Sequence, residues 1–194
     1  MHHDGEGVDK RAPMAPAPMR YAPDGSVAWG EMWDSFCVLA LEGGPRHRAT
    51  LLEGDPDANP ESAGYRFAAD EIARGVLAVS GLSATPAATG WLAIGCHSVG
   101  MAHWLADAIV EENVAARAEG IALLVPVGAD YTLKGEIKSV ITAVAKTTHY
   151  WREHLPNDVK QTLEWQARLG TFRARVAGWF GRGPAKDRPR APIS

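Results

Sequence analysis

The chain has 194 residues, 46% hydrophobic and 22% charged, with a net charge of -3. These values fit one ordinary globular core; they leave too little chain for two comfortable domains and give no overall bias toward nucleic acid. Cys37 and Cys96 are the two cysteines, without CxxC or framework spacing, so a reduced, cytosolic protein without disulfides is expected. The start, MHHDGEGVDKR, lacks the apolar stretch of a signal peptide. No run approaches the roughly 20 apolar residues that span a bilayer. The expectation is a soluble, cytoplasmic protein with no membrane span.

Residues 1–25 are rich in Pro, Ala, Gly and Met; such a composition buries too little surface to repay ordering, so a disordered arm is expected. Residues 26–45 read as a first helix. Trp29, Met32 or Trp33, Phe36 and Ala40 recur at helical spacing, Cys37 joins that face, and Gly43-Gly44-Pro45 stops it. A loop follows, with a short extended piece at 50–52. Residues 65–81 form a second helix with Ala68, Ile72, Val76 and Val79 as its stripe and Gly81 as its stop.

The period then changes. GWLAIGC, bounded by Gly90, suits a buried strand, residues 98–120 a third helix capped by Gly120, and IALLVPV a second buried strand. A fourth helix over 132–154 carries Ile137, Val140, Ile141, Val144 and Trp151 on one face. A fifth covers 156–181, weakened at Gly170. Strand, helix, strand, helix in this order predicts a crossover. The fold class expected is therefore α/β: a helix-rich single domain over 26–154 with a small parallel sheet, strands near 90–96 and 121–127. A basic amphipathic helix over 155–182 and a disordered basic tail over 183–194 complete the division.

Cys96 and His97 fall where the first strand ends and the next helix begins, with Ser98 as N-cap. Ligands bind at this edge of open α/β sheets, and free N–H groups at a helix start favour an anion. A cysteine there can have its pKa lowered. Cys96 and His97 are accordingly the catalytic candidates, weighed against a buried cysteine beside a capping histidine. The order strand, cysteine, helix, strand, helix over residues 90–150 resembles the small sulfur-carrier proteins of the TusA type. Their cysteine is followed by prolines, and CHSVG has none. The resemblance is topological and carries no activity over.

No metal site is expected. His47, His97, His103, His149 and His154 show neither HExxH nor CxxC spacing. His103, Asp107 and Glu111 share a helical face of the solvated kind, and His149 and His154, five apart, lie on different faces of a straight helix. Lys138, Thr142, Lys146 and His149 line the polar side of the fourth helix. With Ser98, Lys138, Lys146 and His149 are candidates for binding an anionic ligand; the alternative is pairing with Glu111, Glu112 and Glu119. No P-loop, dinucleotide fingerprint or nucleophile elbow is present, and no cofactor is implied.

Charge is split along the chain. Residues 151–194 hold nine Lys/Arg and four Asp/Glu, a balance of +5; against totals of 20 and 23, residues 1–150 carry -8. Seven tryptophans, Trp29, Trp33, Trp91, Trp104, Trp151, Trp165 and Trp179, exceed what one small core hides. The expected function is a non-catalytic accessory or interaction protein of a bacterial-type cytoplasm. It would dock on a protein partner or form a homo-oligomer, with an acidic partner for the basic helix. The alternatives are a small enzyme or thiol carrier using Cys96 with His97, and nucleic-acid binding through the basic end, which the overall charge disfavours.

Overall fold

Ser62 starts the first long helix because its side chain supplies what a helix start lacks. In the computed structural model, which describes residues 19–32 and 50–180, α1 runs Ala63–Ser80. The Ser62 hydroxyl accepts the Tyr65 N–H at 3.3 Å, satisfying one of the helix's free donors. Gly81, left-handed, returns its N–H to the Leu77 carbonyl and ends the helix. Ala68, Ile72 and Val76 are buried on its inner face, and Val79 lies against them half-buried.

The chain before α1 packs on it. Tyr21 bridges Val27 across a turn, and a short 3₁₀ turn, Trp29–Met32, buries Trp29. The Trp29 indole donates to Glu71 at 2.8 Å, and Arg74 holds both Glu71 and the Val27 carbonyl. Met19 also lies against the core, so residues 19–25, expected within a disordered arm, belong to this packed turn. Residues 1–18, the expected first-helix positions Trp33, Phe36, Cys37 and Ala40 with their Gly-Gly-Pro stop, His47 and the 183–194 tail lie outside the described residues.

Four strands follow: β1 (Ala84–Pro86), β2 (Trp91–Gly95), β3 (Arg117–Glu119) and β4 (Ala122–Pro126). They form one sheet in the order β1-β2-β4-β3, antiparallel at every pairing. The parallel sheet expected from the sequence is therefore corrected. Its two strands are adjacent, but β2 and β4 run in opposite directions. The cause is local. The helix expected to reach Gly120 is α2, Val99–Glu111, and the chain leaves it at Asn113, φ 68°. Residues 117–119 then become β3, and Gly120, φ 62°, makes the hairpin turn instead of a helix cap. That extra reversal turns a crossover into an antiparallel seam.

Period-two alternation places Leu92 and Ile94 of β2 beside Val125 and Leu123 of β4 on the inner face. Full burial of each such side chain is worth about 1.5–3 kcal/mol. Met101, Leu105 and Ile109 of α2 and Ile141 complete the same core. On the outer face, the Arg117 guanidinium sits 4.4 Å over the Trp91 ring.

The helix after β4 is α3, Lys138–His149, flanked by wider π-type turns at Leu133–Ile137 and Tyr150–His154. The last helix, α4, is Asn157–Phe180. Here α1 packs on α3, while α2 lies between the sheet and α4. Among the described residues, no helix is long and apolar enough to cross a membrane.

Candidate functional site

The start of α2 is where the sequence concentrated its reactive residues. Strand β2 carries Cys96 just past its end. The Cys96 side chain is 5% exposed and joins the core with Ile94, Met101 and Leu123. Its Sγ lies 3.9 Å from the Ile94 carbonyl. Burial pushes the thiol up to about 11, only partly opposed by a backbone hydrogen bond at Leu123. A thiol in that setting stays protonated at neutral pH. His97 is exposed, so the two neighbours occupy different environments.

Ser98 caps α2, its hydroxyl accepting the Met101 N–H at 3.1 Å. The anion that this helix start favours is supplied from within the chain. Glu164 of α4 accepts the Gly100 N–H at 2.7 Å. Burial alone would raise the Glu164 carboxyl. Hydrogen bonds from Ser98 and Gly100, with Arg168 beside it, outweigh that and hold it below the usual carboxylate value. Gly100 permits this contact: a Cβ there would stand 2.6 Å from the carboxylate and 2.8 Å from the Glu164 backbone. The pairing joins residues 64 apart in sequence, and residue spacing within the CHSVG junction held no sign of it.

The polar side of α3 does not act as one surface. Lys146 donates to Glu112 at 2.7 Å, a mostly buried ion pair between α3 and the end of α2. Thr142 is buried. Burial lowers the pKa of Lys138. Of the four ligand candidates, Ser98 is used at the α2 start and Lys146 in the ion pair. Lys138 stands at the other end of α3 from His149.

His149 has a neighbour that the assumption of a straight helix hid. The π-type turn places its Nε2 3.2 Å from the Nε2 of His154, with ring centroids 5.0 Å apart. The two histidines, expected on different faces, share one. The triad His103, Asp107 and Glu111 does not converge: among the described residues, no three His, Cys, Asp or Glu side chains cluster as metal ligands would.

Helix α4 has two sides of opposite character. Lys160, Leu163, Glu164 and Ala167 are half-buried toward the body, whereas Trp165 and Leu169, one turn apart, are 69% and 55% exposed. Arg168, next to Leu169 in sequence, is exposed and reaches Glu164.

No protein family, curated protein or solved structure matches this chain. The element order that resembles the sulfur carriers is interrupted here by β3.

Proposed function

We propose that this is a non-catalytic, cytoplasmic accessory protein that docks an acidic partner surface through the outward side of α4. The observation carrying this reading is the exposure of Trp165 and Leu169 on a helix whose other side is already packed against the body. Large apolar groups on an arginine-rich segment suit a partner with an apolar seat and an acidic rim. The partner's acidity follows from the +5 balance of residues 151–194. Tryptophan and arginine are the side chains that most often dominate interface energetics. The competing thiol reading is disfavoured by the burial of Cys96 and its raised pKa.

Site-specific photo-crosslinking in the source cells tests the proposal. A crosslinker at position 165 should form a discrete adduct that one at exposed position 70 does not. The adduct partner, another protein or a second copy through its acidic body, should bind the purified chain. Arg173→Glu with Arg175→Glu should weaken that binding. No enrichment at 165, or binding indifferent to the charge reversal, would reject the docking role.

A further inference from the structure

We propose that His149 and His154 form a two-imidazole site for a borderline divalent transition ion of the zinc, nickel or copper class. The inference is independent of the docking role of α4.

Geometry carries it. The two Nε2 atoms face one another at 3.2 Å. Two imidazole nitrogens bound at about 2.0–2.1 Å to one ion stand about 2.9–3.4 Å apart for cis-octahedral to tetrahedral angles. The observed separation falls inside that window, so the rings need only a small adjustment to admit an ion between them.

The backbone makes the pairing possible. In a regular α-helix, residues five apart diverge by about 140° around the axis. Here the Leu155 N–H reaches the Tyr150 carbonyl at 3.1 Å, five residues back. The wider turn carries His154 round to the side of His149. Single π-type turns of this kind are frequent at functional sites.

That turn is held from several directions. The Trp151 ring lies 5.6 Å from Trp104 of α2, and the Lys160 ammonium of α4 stands 5.9 Å from the same ring. Arg152 donates to the Ser80 carbonyl at the end of α1. Lys160 donates to the Arg152 carbonyl at 3.2 Å. The residues between the histidines are thus fixed on three helices, and the Tyr150 ring lies 5.0 Å from His154. Such support is what distinguishes a preformed pair from two loose surface histidines. His154 is exposed and His149 half-exposed, so an ion can enter and keep water in its remaining positions.

Titration of the full chain with Ni²⁺, and separately Zn²⁺, by calorimetry tests the site. The expected result is one ion bound through this pair, lost in His154→Gln and in His149→Gln, with far-UV circular dichroism unchanged. His154 lies at the surface, so His154→Gln alone decides the matter if the other variant folds poorly. Cu²⁺ paramagnetic resonance should show two equivalent nitrogens in the wild type, a signal absent from either variant. His2, His3 and His47 remain in both variants. Undiminished uptake by the variants would assign the ion to other groups and overturn the proposal, as would no uptake by the wild type.

Discussion

The start of α2 and the outer side of α4 meet opposite fates. Both present groups that ordinarily seek a partner: free N–H donors and a thiol at one, large apolar side chains at the other. At the α2 start the Met101 and Gly100 N–H groups are taken up internally, by Ser98 and Glu164, and Cys96 is buried. On α4 the apolar side faces outward. Two consecutive residues divide the roles: Glu164 fills the anion position while Trp165, about 100° further round, points away. Residue type alone therefore does not mark a site; what matters is which of its valences the fold has already used.

Filling the contact between the two regions should have the largest effect. Gly100→Val puts side-chain atoms into the Glu164 backbone. We expect a loss of about 1–3 kcal/mol, the usual scale of overpacking, read by chemical denaturation; wild-type stability would mean that α4 does not press on this point. Ser98→Ala removes the cap but not the plug, and should cost about 1 kcal/mol.

A subtler change separates charge from shape. The folded-state pKa of Glu164 is depressed. Its stabilisation is therefore present above the unfolded value of about 4.3 and is lost as pH falls through the folded value. Glu164→Gln should flatten that acid limb of the stability profile, and an unaltered limb would assign acid sensitivity elsewhere. The smallest effect on folding belongs to the outward side. Trp165→Ser with Leu169→Ser should change stability by less than about 0.5 kcal/mol while weakening the proposed partner binding. A larger loss of stability would place these side chains in the fold's own packing.

Much of the chain's local structure was readable. The Ala68–Ile72–Val76 stripe gave α1, the apolar run from Trp91 gave β2, and Ser98 was visible as a cap because its chemistry is local. Strand β3 was hidden because it is three residues long and lies among alanines that read as helix. Missing it inverted the direction of β4. The Glu164–Gly100 contact was hidden by its sequence separation. The histidine pair was hidden because about 3.6 residues per turn is the default, and nothing in TTHYWREH announces a wider one.

The two edges of the sheet also bear on aggregation. Each edge strand is only three residues long. Pro86 in β1 has no N–H to offer, and β3 ends in Arg117 and Glu119, both exposed. Short, proline-bearing and charged edges resist the addition of a foreign strand, the usual route from a folded sheet to aggregation. Pairing of a foreign strand with the backbone is thereby disfavoured on both flanks of the sheet.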